Sequence, residues 1–341
     1  MELLTSRFLH GLVPDPEGFA VIDHFYRGSA RRGLDALGRK PQKAIEHVSG
    51  MQRLRRRTAA TDVVHYQWLD LAVLDWLLLP PGRPRVLTAH GTLRGAPPGW
   101  GTRRVYHRMD AVIALSEYGA TKLREQAGVP EDRVRVIPHG PLDYLTRIPA
   151  PAPLPAELDH SDRPVVLFFG IVRPYKGVDV LLEAFRELEG ADAELWIVGR
   201  PLDVDVAELR ARARRASATV KFVSRFIDDR EVPALFERAD LVVLPYREAE
   251  QSGVMYLALA FGKPIVMSAV GGFPEVAAHG AGRLVPPGDS QALCEAIGDL
   301  LERPEERARL EAAARAAASG PYSWDRIAEA HLALYRELLG S

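Results

Sequence analysis

"FFGIVRPYKGVDVLLEAF", residues 168–185, joins an apolar run to a helical pattern through a turn that carries two cations. The run begins at Val165 and is continuous rather than alternating, so the strand it predicts is buried on both faces. Gly170 lets the chain turn, Arg173 and Lys176 occupy the turn, and Gly177 precedes "VDVLLEAF", whose apolar spacing is that of a helix packed on one side. Strand, short loop and helix form the building unit of a parallel α/β fold. Two cations at the carboxyl end of a buried strand, beside the partial positive charge of a helix N-terminus, suit a phosphate or diphosphate. The same residues also suit a solvated turn with two surface cations.

The unit repeats along the chain. Residues 62–68, 85–90, 111–116 and 134–138 read as strands before the middle of the sequence. Residues 165–170, 193–199, 219–224, 241–245, 264–268 and 282–287 read as strands after it. Helical patterns alternate with them: "SEYGATKLREQAG" with Ser116 as N-cap and Gly128 as stop, "REVPALFERAD", and a long stretch over 290–320. Between the two blocks, "RIPAPAPLPAELDHSDRP" (147–164) has five prolines and holds neither a regular helix nor a central strand. The expected division is a first domain at 1–147, a linker at 148–163, a second domain at 164–320 and a C-terminal helix at 321–341 returning to the first domain with Trp324 as anchor. Both domains are predicted to be doubly wound α/β, with ligands bound beyond the carboxyl ends of the strands, in the cleft between the halves.

A chain of 341 residues is too long for one ordinary core. Its single cysteine, Cys294, excludes an internal disulfide framework and fits a reducing compartment. No apolar run approaches a membrane span, and "MELLTSRF" lacks the order of a signal peptide, so a cytoplasmic location is expected. Net charge is −1 but unevenly placed: residues 1–147 hold 22 basic and 15 acidic side chains, net +7, which leaves −8 for the remainder. The first half is therefore expected to meet something anionic.

A second candidate for anion binding lies in "LPYREAEQSGVMYLALAFGKPIVMS". Ser252, Gly253 and Val254 open a helix at the end of a strand, Gly253 lets backbone amides approach a ligand, and Glu248 and Glu250 come just before. Taken in order, "RPYKG", "LPYREAEQSGV", "AFGKPIV", "GGFPE" and "GRLVPPGD" resemble retaining glycosyltransferases of family 4. "DAVIALSEYG", "VRVIPHG" and "YSWDRIAEAHLALYREL" fit the same family. The resemblance implies a GT-B fold of two facing Rossmann-like domains, a nucleotide-diphosphate sugar as donor, and neither metal nor other cofactor. It gives Arg173 and Lys176 the donor diphosphate and the charge of the departing nucleotide. Gly170 and the amides of Ser252 to Val254 would hold diphosphate and sugar, Arg225, Phe226 and Ile227 would face the base, and His90 would reach the sugar from the first domain. Retention would follow from front-face attack, with the donor phosphate helping to take the acceptor's proton.

The family's paired glutamates depart from the pattern. Their slots fall on Ala249 and Leu257, and Glu250 or Glu248 is expected to take the first role while ribose recognition moves elsewhere. A nucleotide-sugar-binding homologue without transfer activity and a nucleotide-sugar 2-epimerase stay open beside a hexosyltransferase with an unknown acceptor (glycan, lipid or small molecule). The basic residues of "GRKPQKAIEHVSGMQRLRRR" (38–57) read either as a dock for the inner face of an anionic membrane bearing a lipid acceptor or as a solvated basic helix. No recognition motif suggests nucleic acid. Residues 2–7 resemble the family's second strand, so either the first domain lacks its first β-α unit or these residues are the first strand of a shortened domain.

Overall fold

The computed structural model describes residues 1–6, 18–28, 39–69, 71–82, 84–91, 98–158, 162–188, 192–214 and 219–340, with only the backbone of Arg39 and Lys40. By internal contacts the chain forms two units. Unit 1 comprises Met1–Ala114, Ala120–Arg135 and Leu332–Ser341; unit 2 comprises Leu115–Gly119 and Val136–His331.

In unit 1, β1 (Glu2–Ser6) pairs in parallel with β2 (Ala20–Phe25), and α1 (Arg39–Arg57) follows. The segment joining β1 to β2, on which the expectation of a missing first unit bears, lies outside the described residues. A sheet of order β3-β4-β5-β6 comes next, built from Val64–Tyr66, Arg85–Ala89, Ala111–Ala114 and Val134–Val136. Helices α2 (Ala72–Leu78), α3 (Trp100–His107) and α4 (Glu117–Glu125) connect its strands. The continuous apolar runs are buried as their composition requires, Val86, Val112 and Ile113 completely. Ser116 does cap α4, its hydroxyl accepting the amide of Gly119 at 3.0 Å. A buried polar chain links α1 to α2: His47 receives Tyr26 on one ring nitrogen and meets Asp75 with the other.

Unit 2 is a single parallel sheet with helices between its strands. Its elements are β7 (Val165–Phe169), α5 (Val178–Glu187), β8 (Glu194–Val198), α6 (Val206–Ala213), β9 (Thr219–Val223), α7 (Val232–Arg238), β10 (Leu241–Leu244), α8 (Gly253–Ala260), β11 (Ile265–Ser268), α9 (Phe273–Ala277) and β12 (Gly282–Val285). The sheet order is β12-β11-β10-β7-β8-β9. Strand order therefore reverses between β7 and β10, and a doubly wound sheet binds its ligand beyond the carboxyl ends at such a reversal. The stretch expected as one long helix is two, α10 (Ser290–Glu302) and α11 (Pro304–Ser319). Pro304 cannot donate to the preceding turn and instead starts the new helix.

The proline-rich segment is packed rather than loose. Ile148 and Leu158 are buried in the core of unit 2, and the amide of Ala152 bonds to the carbonyl of Arg230 at 2.8 Å. The last helix, α12 (Trp324–Leu339), is pinned at its start by the Trp324 indole, which donates to the carbonyl of Pro141 at 2.9 Å and lies against Gly140. Further along, Tyr335 bonds to His65 at 2.6 Å and Glu337 pairs with Arg135, all within unit 1.

Two glycines decide how the loop after β7 runs. Gly177 has φ +66°, and a Cβ there would sit 1.9 Å from the carbonyl oxygen of Pro245, in the loop after β10. Gly177→Ala should therefore destabilise the protein by more than about 1 kcal/mol, read as a lower urea midpoint. An unchanged midpoint would show that the two loops part without cost.

Candidate active site

The loops after β7 and β10 meet at the reversal of strand order. The first makes a tight turn, Pro174–Lys176, before α5. The second runs from Pro245 to Ser252, the residue before α8. Arg247 ties them together: its amide bonds to the carbonyl of Tyr175 at 2.8 Å and its guanidinium to the carbonyl of Pro174 at 3.1 Å. The same guanidinium grips the Asp179 carboxylate twice, at 2.8 and 2.6 Å. Burial alone would push Asp179 up, but the bonds and charge of Arg247 hold it below the usual carboxylate range. Arg247 and Asp179 thus support the loops rather than face a ligand with free charge.

Lys176 is placed differently. Its Nζ lies 5.1 Å from the centre of the buried Tyr246 ring, a cation–π contact. Tyr246 in turn bonds to Ser252 at 3.3 Å. Gly170 has φ +103°, and a Cβ on it would come 3.2 Å from Val254 and 3.3 Å from Lys176 Nζ. Gly170, Lys176 and the first turn of α8 therefore converge on one point. At Gly253 an added Cβ would meet only Leu142, at 3.9 Å, so this end of α8 is open. Neither Arg173 nor Lys176 forms an ion pair among the described residues, whereas most neighbouring arginines do. Two uncompensated cations and a helix N-terminus in one place can hold an anion.

A cleft of about 580 Å³ adjoins this point, lined by Arg173, Arg212 and Arg247 and by Asp179, Asp203, Asp205, Glu208 and Glu248. Neither Lys176 nor the start of α8 lines it. Asp179 and Glu208 are held by Arg247 and Arg212, and Asp205 caps α6, so Asp203 and Glu248 are the carboxylates of this wall that could accept hydroxyl groups. The backbone carbonyl of Glu250 accepts the amide of Gly272 at 3.1 Å.

Residues 154–317 match the family model of glycosyl transferases group 1, and residues 12–141 that of glycosyltransferase family 4. The GDP-mannose-dependent alpha-(1-6)-phosphatidylinositol monomannoside mannosyltransferase of Mycolicibacterium smegmatis is 30% identical, the match covering 95% of this chain and 88% of that protein. The chain belongs to the group 1 glycosyltransferases. Another member it resembles is the alpha-D-kanosaminyltransferase of Streptomyces kanamyceticus, 29% identical over 70% of this chain. The match spans 63% of that relative, less than two thirds of its length. Among solved structures, Anabaena HepE in complex with UDP-glucose superposes with a TM-score of 0.67 at 24% identity, covering 83% of this chain and 82% of that one. The fold is GT-B, with parallel sheets in two Rossmann-like domains.

Against the group 1 pattern, the other expected site residues fall as follows. Arg225 is held by Glu231 in a two-pronged ion pair at 2.9 and 2.6 Å, so its charge is already spent. Phe226 is exposed, but Ile227 is part of the core, so only its backbone is open to a ligand. His90, in unit 1, stacks on Trp68 with ring centres 4.8 Å apart and bonds to Gln67 at 2.8 Å. Leu257 faces the core and is 3% exposed. Placing a carboxylate there would bury it, so Leu257→Glu is a destabilising change and not the restored ribose contact that its register suggests. Three contacts had no sequence signal of their own: Arg247 with Asp179, Gln251 with the carbonyl of Leu115, and Glu275, whose carboxylate accepts the amides of Glu117 and Tyr118 at 2.9 and 3.0 Å.

Burial first, and the Arg173 charge second, pull Lys176 down from 10.5 to about 8. Between those two values the unfolded chain keeps a proton that the folded chain has released, so this group makes stability rise with pH across that window. Below about 8 the folded protein carries the full cost of a mostly buried charge. Lys176→Met should therefore raise stability at neutral pH by about 1–2 kcal/mol, with the gain shrinking as the pH approaches 10.5. Denaturant titrations at several pH values check this, and a gain independent of pH would mean that Lys176 is solvated.

Proposed function

We propose that the protein transfers a hexosyl unit, with retention, from a nucleoside-diphosphate sugar to an acceptor. The observation that carries this reading is the convergence of Gly170, Lys176 and the open first turn of α8 where strand order reverses, with Arg173 in the same loop. A diphosphate there would meet positive charge from Lys176 and Arg173 and amides from Gly253 and Val254. As the bond to the sugar breaks, negative charge grows on the departing diphosphate, and fixed cations stabilise that state more than the ground state. The adjoining cleft would offer the carboxylates of Glu248 and Asp203 to sugar or ribose hydroxyls, and Glu250 is the second candidate for the sugar.

The relatives support a nucleotide sugar without fixing the base: HepE was solved with UDP-glucose, and the mycobacterial relative is named for GDP-mannose. The latter's phosphatidylinositol monomannoside acceptor makes a lipid-linked acceptor a reasonable first trial. Leu257 in the core favours one other reading, a protein that binds a nucleotide sugar and does not transfer it, because the usual ribose carboxylate has no counterpart there.

Release of nucleoside diphosphate from a panel including UDP-glucose and GDP-mannose, with and without acceptor lipids and sugars, separates the two. Acceptor-dependent release is expected from one donor. Arg173→Ala and Lys176→Ala should each lower kcat/KM by about 2–4 kcal/mol equivalent, with the fold intact. Binding without release from any donor would establish the second reading, and near-normal turnover in either variant would remove that residue from the mechanism.

A further inference from the structure

We propose that Trp68, with Gln67 beside it, is a stacking platform for a sugar ring, and that the acceptor therefore presents a pyranose. β3 and β4 are neighbouring parallel strands of unit 1; Gln67 and Trp68 directly follow β3, and His90 directly follows β4. All three residues are at the carboxyl ends of strands, where an open α/β sheet binds its ligands. The imidazole of His90 lies against Trp68 with ring centres 4.8 Å apart and planes 17° from parallel. One face of the indole is thus covered, yet Trp68 is 71% exposed, more than any other Trp, Tyr or Phe among the described residues. Its other face is open to solvent.

The platform is held from behind by a chain of side-chain bonds. His90 Nε2 donates to the Gln67 side-chain oxygen at 2.8 Å, and the Gln67 side-chain nitrogen donates to His65 Nε2 at 3.3 Å. That nitrogen of His65 also accepts the buried Thr88 hydroxyl at 2.8 Å, so its Nδ1 carries the proton and donates to Tyr335 of α12 at 2.6 Å. The chain fixes the Gln67 amide and, through His90, the ring on which Trp68 lies. Gln67 is itself exposed, and among the described residues its amide has used one acceptor site and one donor. One of each remains, in a flat fork that matches two adjacent hydroxyls. A pyranose divides its surface in the same way. One side presents C–H groups, whose partial positive charge complements the negative face of an aromatic ring, and the rim presents hydroxyls. An acyl chain would use the indole and leave the amide unmatched. Placing this ring in the acceptor rests on the transferase reading; its binding to Trp68 does not.

Ligand-observed saturation-transfer NMR of the full chain with methyl α-mannoside and methyl α-glucoside tests this. Saturation should reach the C–H protons on one ring face of at least one glycoside. Trp68→Ala and Trp68→Leu should each raise its Kd about tenfold, and Trp68→Phe, which keeps an aromatic face, about twofold. Gln67→Ala should raise it about fivefold. Circular dichroism and thermal melting confirm that the variants are folded. Failure of both glycosides to bind would overturn the proposal. So would undiminished binding in Trp68→Leu, which would make the residue an apolar patch without need of its ring. Trp68-dependent binding of uridine with neither glycoside bound would make it a nucleobase platform and also overturn it. In transfer assays Trp68→Ala should raise the KM for sugar acceptors about tenfold and leave the donor KM in place. Trp68-dependent glycoside binding by a protein that turns over no donor would uphold the platform and end the transferase reading. Turnover with an unchanged acceptor KM in Trp68→Ala would uphold the transferase reading and overturn the platform.

Discussion

The loop after β7 and the loop after β10 approach each other so closely at Gly177 and Pro245 that no side chain fits between them. Much of the candidate site depends on this one contact. It directs the turn so that Lys176 lies over Tyr246 and beside Gly170. It also lets Tyr175 and Pro174 offer their carbonyls to Arg247, whose guanidinium then fixes the first turn of α5 through Asp179. The cost of the arrangement falls on Lys176, which is held mostly away from water with no carboxylate paired to it among the described residues. Proteins accept such local cost where a charge serves a function, and the proposed diphosphate would be the group that answers it.

The fold was legible because a parallel sheet covered on both faces needs uninterrupted apolar strands, and "VVLFF", "LVVL" and "IVMS" have no other use in a chain of this composition. The position of Arg173, Lys176 and Ser252 at strand ends was legible for the same reason, since a buried run must end in a turn and the turn is where polar groups reappear. What could not be read was how the charges pair. Arg225 and Glu231 are six positions apart across a loop, and Arg247 and Asp179 are separated by three strands of the sequence. Spacing along the chain is silent about such partners, so Arg225 looked available and Arg247 unremarkable.

Boundaries and faces were less legible than elements. A run of alanine and glutamate over 290–320 has helical preference throughout, and only Pro304 marks the break into α10 and α11. Leu257 has the residue type of a core position and the register of a ligand contact; burial settles that it is the former. On α1 the density of arginine reads as a basic face, and what spacing alone does not show is that an arginine's reach also lets it bond neighbouring carbonyls, as Arg53 and Arg55 do.

The proline-rich stretch at 148–158 looks like a place to divide the protein, and its packing shows what a cut there would remove. Ile148 and Leu158 contribute to the core of unit 2, and Ala152 donates a backbone bond to it. The contacts of this unit take in Leu115–Gly119, resume at Val136, and include the indole of Trp324 on Pro141. A fragment starting near residue 136 and keeping Trp324 would therefore retain this packing but leave Gln251 without Leu115 and Glu275 without the amides of Glu117 and Tyr118. One starting at residue 164 would present a raw apolar face where Ile148 and Leu158 had been, and would be prone to aggregate rather than to fold alone.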